Sequence, residues 1–370
     1  MRAGTSTQPI ERVRAAVFTV PTEQAESDGT LTWEQTTIVV VHVAAGGEEG
    51  LGYTYATGAA AQVIHRTLGK AIAGMDAMAI PAIWSKMRRE IRNMGQPGVA
   101  FNAMSAVDTA LWDLKARLLG VPLVTLLGDA RDEVPAYGSG GFTSYGEGEL
   151  AAQLESWADA GFRSVKMKVG RDPAQDIVRV RTARRAIGDR TALFVDANGA
   201  YSRKLSLAQA LAFAESDVTW FEEPVSSDDL PGLHFVRDRV PPGMDVAAGE
   251  YGYTPVYFHR MLEAGAVDVL QADATRCGGF SGFLLAAALV EARSMELSAH
   301  CAPSLHVHAC AALRHVRHLE YFHDHVRVER LLFDGVPEPK LGNLSPDRAR
   351  PGLGLTLKVR DAARFAAQAA

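Results

Sequence analysis

The pattern of apolar and polar positions changes once along the chain. Up to about residue 132, two apolar stretches, VRAAVFTV and TTIVVVHV, predict strands, and periodic stretches near 60–74, 81–94 and 103–119 predict helices. In the last of these, Ala106, Ala110, Leu114 and Leu118 recur every four residues and draw an apolar packing stripe, and Gly120 with Pro122 ends the helix. From EVPAYGSGG onward, short apolar strands alternate with helical segments, the pattern of βα units that build a parallel sheet. Strands are expected at 134–139, 163–169, 191–196, 218–222, 245–250, 267–273, 296–300 and 318–321, which predicts an α/β protein with a (β/α)8, or TIM, barrel. After about 326 the chain is rich in proline and glycine, leaves the repeat, and is expected to return to the first unit. The expected division is an α+β unit over 1–132, a barrel over 133–325 and a returning tail over 326–370.

Composition narrows the function classes. With 370 residues, a formal charge of -5 and 47% hydrophobic residues, the chain is an ordinary globular one, without the basic excess of a nucleic-acid binder. No apolar run approaches the roughly 18 residues of a membrane span, and the apolar stretch near the start is too short for a signal peptide. Cys277, Cys301 and Cys310 are odd in number and lack CxxC spacing, so they are expected to be buried thiols in a reducing cytoplasm.

The chemistry is in the strand ends, where barrel active sites are built. In SVKMKVG, Lys166 and Lys168 share one face of a strand; inside a cavity, each makes the other harder to protonate, leaving one a free amine. The next strands end in Asp196, Glu222 and Glu250, which are 26 and then 28 residues apart, about one βα unit each. Any one of them alone reads as a helix N-cap. Together they converge on one point as an all-oxygen site, which suits Mg²⁺ better than Zn²⁺. Asp273 and His300 end adjacent strands on the far side of the ring from the lysines, near enough for the carboxylate to orient the imidazole. Two acid/base groups flanking a metal-bound carboxylate suit removal of the proton beside that carboxylate, since the enediolate formed needs positive charge close by.

VKMKVG, VDANGAY, WFEEP, AAGE, QADATRCGGFSG, SAH and HLEYF, in this order, resemble the mandelate racemase subgroup of the enolase superfamily over nearly the whole chain. Lys or His bases working with Mg²⁺ are established in that superfamily. The resemblance implies an α+β capping domain over a modified barrel and one Mg²⁺ on Asp196, Glu222 and Glu250. It implies Lys168 as base, with Lys166 lowering its pKa, and Asp273 and His300 as the opposing dyad. Glu320 is expected to donate a hydrogen bond, as a neutral acid, to the substrate carboxylate, although Arg314, Arg317 and His318 are rival partners for it. Asn198 and Ser139 are expected near the substrate. In WFEEP the family pattern selects Glu222 over Glu223, leaving Glu223 as a structural ion-pair partner. A homo-oligomer is also implied.

Specificity is expected from two loops of the first unit, 21–33 and 52–58, which carry polar groups such as Thr22, Gln24 and Tyr53. A hydrogen-bonding lid suits a sugar acid, so the expected partner is a small carboxylate and the expected reaction an acid-sugar dehydration; racemisation of an α-hydroxy acid is the alternative. Seven of the eleven histidines lie between His300 and His325, which raises a zinc hydrolase as a rival. HLEYFH lacks HExxH spacing, however, and carboxylates are the wrong majority for zinc. A non-catalytic barrel is disfavoured because every member of the acid/base and carboxylate set is present.

Overall fold

The computed structural model describes residues 7–367, so the extreme ends of the two outer expected units lie outside the described residues. The chain starts with an antiparallel sheet of β1 (Arg12–Ser27), β2 (Thr32–Ala45) and β3 (Glu48–Tyr55). β1 is longer than expected. The register slips between Pro21 and Glu26, because proline has no N–H for the ladder, and pairing then resumes at Glu26 with Trp33. The expected loop 21–33 is therefore mostly a hairpin arm, with only residues 28–31 outside its strands.

The expected helix near 60–74 spans Ala59–Ile72, including a π-helical stretch at Ile64–Leu68. The striped helix begins earlier than expected and runs Val99–Leu118. Its Ala106 and Ala110 lie against β3, where a Cβ on Gly52 would meet the Ala106 carbonyl oxygen at 2.3 Å, so glycine is what lets strand and helix backbones approach. The same helix packs on the barrel helix Gly279–Glu291 and so seats the capping domain on the barrel.

Eight parallel strands follow in ring order: β4 (Val134–Gly140), β5 (Ser164–Lys168), β6 (Ala192–Asp196), β7 (Val218–Glu222), β8 (Asp245–Ala248), β9 (Val269–Ala272), β10 (Glu296–Ala299) and β11 (Val316–Phe322). β11 pairs with β4 and closes the barrel. Alternation then sorts the interior into layers. Below lie Tyr137, Phe194, Trp220 and His318, with Phe194 stacked on Trp220 at 5.3 Å. Two residues further along the same strands are Ser139, Asp196, Glu222 and Glu320, a charged layer on an aromatic floor.

The tail touches both units. Asn343–Leu344 pairs antiparallel with Val134 and Pro135 of β4, while Ala366 bridges to Phe18 and the Leu353 N–H donates to Asp113. The expected boundary at 325 falls inside the helix His323–Leu332. All three cysteines are free and buried. Among the described residues, no helix is long and apolar enough to cross a membrane.

Candidate active site

The charged layer is dense and buried. The Lys168 ammonium lies 2.5 Å from Asp196 Oδ2. Lys166, fully buried over the Tyr137 ring, reaches Glu222 Oε1 at 2.5 Å, Glu320 Oε1 at 2.8 Å and Asp196 Oδ2 at 3.4 Å. Asp196, Glu222 and Glu250 each bring a carboxylate oxygen within 4.8 Å of the other two, all of them buried. Burial and the neighbouring Asp196 push Glu222 up to about 8, whereas the two lysines overcome burial and hold Asp196 below its ordinary value. Glu250 Oε2 is buried with no hydrogen-bond partner. Three convergent carboxylates with an oxygen left over fit a hard divalent cation.

Burial presses the Lys168 pKa down, and Lys166 acts in the same direction, as expected; set against the carboxylates alone, the attraction of Asp196 outweighs both and the net shift is upward. Glu223 is corrected: it is buried without any ion pair among the described residues, and burial together with Glu250 raises its pKa.

Glu250 reaches the cluster by a route that strand alternation does not predict. Val246 and Ala248 face the outer core, so strict alternation would send Glu250 outward as well. Gly249 breaks the rhythm with φ +139°, at a spot where a Cβ would stand 2.0 Å from the Gln271 carbonyl oxygen. A Gly249→Ala variant is expected to lose about 1–3 kcal/mol from the dihedral alone, with the backbone clash in addition. Thermal unfolding and Mg²⁺ titration should show a lower Tm and a weaker metal site; unchanged Mg²⁺ binding would disprove this role for Gly249.

Opposite the lysines, His300 Nδ1 donates to Asp273 Oδ2 at 2.8 Å, which leaves Nε2 facing the cavity, 3.3 Å from Glu250 Oε2. Burial disfavours the imidazolium, but Glu250 and the Asp273 hydrogen bond outweigh it and raise the His300 pKa. Arg276 bridges Glu250 at 3.3 Å and Asp273 at 3.7 Å, tying the dyad to the carboxylate cluster. Cys301 and Ala302 follow in left-handed conformations, φ 52° and 39°, a strained turn that aims the Cys301 N–H at Glu320 Oε2, 2.9 Å away.

Glu320 points inward. Its rivals are occupied elsewhere: Arg317 pairs with Asp245 and Glu296, Arg314 with Glu291, and His318 bonds to Ser298. Burial favours the neutral acid expected for Glu320, yet Lys166 and His300 hold its pKa well below the ordinary range. In this charge balance it accepts from Ser139 Oγ and the Cys301 N–H.

A cavity of about 390 Å³ opens above this layer, lined at its deep end by Lys168, Glu250, Arg276, His300 and Glu320. Asn198 lines it too, in a left-handed conformation at φ 45°, with a buried Oδ1 that has no partner. Ser139 does not line it and supports Glu320 instead. Tyr53 was expected at the substrate and is not there: it is fully buried, stacked on Phe333, and its hydroxyl donates to Glu329 Oε1 at 2.6 Å. Of the two expected lids, Asp28, Leu31, Trp33 and Thr57 line the cavity, whereas Thr22 and Gln24 do not.

Sequence reasoning missed Arg276, Cys301 and His325. Arg276 and Cys301 lie inside or beside quoted motifs just past strand ends, and that position was the available signal. Two other buried histidines of the rich stretch hold backbone in place. His306 bridges the Cys301 carbonyl and the Ala274 N–H, and His308 bonds to the Leu353 carbonyl.

The comparisons agree with this geometry. Residues 149–362 match the enolase C-terminal domain-like family, and residues 13–128 match the mandelate racemase / muconate lactonizing enzyme N-terminal domain. The chain belongs to the enolase superfamily, mandelate racemase subgroup. A mandelate racemase/muconate lactonizing enzyme-like protein from Rubrobacter xylanophilus superposes with a TM-score of 0.95 at 52% identity, covering 97% of this chain and 100% of that one. A 3,6-anhydro-alpha-L-galactonate cycloisomerase from Streptomyces coelicolor is 34% identical over 371 residues, 96% of this chain and 99% of its own length. L-talarate/galactarate dehydratase from Salmonella typhimurium is 33% identical over 319 residues, 84% of this chain and 78% of its own. Its structure with Mg and L-lyxarohydroxamate superposes with a TM-score of 0.90 at 28% identity, covering 99% and 95% of the two chains. Like other mandelate racemase subgroup members, this enzyme uses Mg²⁺.

Proposed function

We propose that this enzyme removes the α-proton of a polyhydroxy carboxylate and eliminates the β-oxygen, a dehydration that gives a 2-keto-3-deoxy acid in the cytoplasm. The observation that carries this reading is that Lys168 and His300 line one cavity from the two ends of the carboxylate cluster, Lys168 against Asp196 and His300 against Glu250. Asp196, Glu222 and Glu250 would hold Mg²⁺. Such an ion would supply positive charge toward the enediolate and would offset the Asp196 attraction that keeps Lys168 an ammonium. Lys168 Nζ takes the proton from C2, and the C–H electron pair passes into the enediolate. As the C3–O bond breaks, His300 Nε2 protonates the departing hydroxyl to water, and the enol tautomerises to the ketone. Lys166 and Ser139 hold Glu320 beside His300, and Asn198 Oδ1 is free to accept from a substrate hydroxyl.

Acid-sugar dehydratases and a cycloisomerase among the relatives support elimination over simple proton return. A screen of sugar acids with the Mg²⁺-loaded enzyme is expected to produce 2-keto acids detectable as semicarbazones. Loss of optical rotation from an α-hydroxy acid, with no keto product, would replace this reading with a racemase.

A further inference from the structure

The cavity is lopsided in charge. Its cations, Lys168 and Arg276, both lie at the deep end and are committed there, to Asp196 and to Glu250 with Asp273. Among the described residues, no other lysine or arginine lines it. The end covered by the capping domain carries two carboxylates instead, Asp28 and Asp324. Asp28 Oδ1 accepts from the Thr30 and Leu31 N–H groups at the turn of the hairpin arm, which fixes the carboxylate in place. Asp324 accepts from the Thr36 hydroxyl and pairs with Arg327, whose own side chain lies outside this cavity.

The remaining groups there are neutral. His325 is stacked on Tyr55 at 3.4 Å, and its Nδ1 accepts from the Ala302 N–H, which places its proton on Nε2. Burial keeps it uncharged, with a pKa of about 3. Gln35, Thr36, Thr37 and Thr57 add hydroxyls and an amide, and Leu31, Trp33 and Phe322 add apolar wall. Hydroxyl groups find both donors and acceptors on such a surface. A carboxylate finds the charge of Asp28, which has no ion-pair partner among the described residues, the Arg327-paired Asp324 beside it, and no free cation, and like charges held close together repel.

We propose that the substrate is a monocarboxylate, an aldonic acid or a deoxy or anhydro form of one, and that Asp28 excludes aldaric diacids by repelling a second carboxylate. This inference rests on the sugar-acid reading above and adds which sugar-acid class the site takes. Binding decides it independently of turnover. Calorimetry on the Mg²⁺-loaded protein should compare five- and six-carbon aldonates with the aldarates of the same configurations. The best aldonate is expected to bind about 100-fold more tightly than the best aldarate. Asp28→Asn keeps the acceptor that holds the turn, so it is expected to narrow that gap at least ~10-fold by strengthening aldarate binding. Equal binding of the two classes, a preference for aldarates, binding of neither, or an unmoved gap in Asp28→Asn overturns the proposal. Tight aldonate binding without a keto product would leave it standing and sink the dehydration reading instead.

Discussion

A Lys168→Ala variant is expected to lose about 10²- to 10⁴-fold in turnover, the range set by loss of a positioned general base, while its Tm and overall fold stay close to those of the parent. Lys168 lines the cavity, so removing it opens space to water rather than leaving a sealed void. The diagnostic readout is isotope exchange. His300 lies three strands from β5 one way round the ring and five the other, at the opposite end of the carboxylate cluster. It therefore meets only one face of a bound α-carbon. In D₂O the variant is expected to exchange the α-proton of at most one substrate configuration, followed by NMR. Exchange of both configurations would refute the opposed arrangement.

Removal of metal is expected to abolish activity, and added Mg²⁺ to restore it. Asp196, Glu222 and Glu250 approach one another within 4.8 Å in a buried layer where like charges repel strongly. Lys166, Lys168 and Arg276 pair with these carboxylates, but Lys166 is shared with Glu320 and Arg276 with Asp273. Because Mg²⁺ binds the folded site and has no comparable site on the unfolded chain, it is also expected to raise stability, by about 2.7 kcal/mol at a concentration 100 times its Kd. EDTA titration of activity together with thermal unfolding with and without Mg²⁺ checks both. Full turnover in chelator, or a Tm indifferent to Mg²⁺, would remove the metal from this site.

Much of the site was legible because a strand's side chains alternate with a period of two. Lys166 with Lys168, Phe194 with Asp196, and Trp220 with Glu222 lie two apart in the chain, so aromatic floor and charged roof are written into each strand before any folding is considered. Glu250 is the exception: it follows a glycine whose φ of +139° reverses the facing, and no periodicity carries that information. The lid was misjudged for a similar reason. Pro21 reads locally as a loop, but pairing resumes beyond it because β2 continues as a partner, and a partner strand is a long-range fact. Tyr53 reads as a lid residue by its neighbours, yet Glu329, 276 positions away, claims its hydroxyl.

Local pattern thus specified the barrel strands and two of the three capping strands, β3 having read in part as a loop over 52–58, and it marked the lysines, carboxylates and His300 with Asp273 as candidates, since periodicity and strand ends depend on near neighbours along the chain. Protonation states, the partners of Glu320, and the charge at the mouth of the cavity came from assembly. Each is a sum over groups that folding alone brings within a few ångströms: Lys166 against Glu320 across 154 positions, and Asp28 and Asp324 against one shared cavity. Electrostatic energy depends on distance in space and on burial, and the linear chain contains neither.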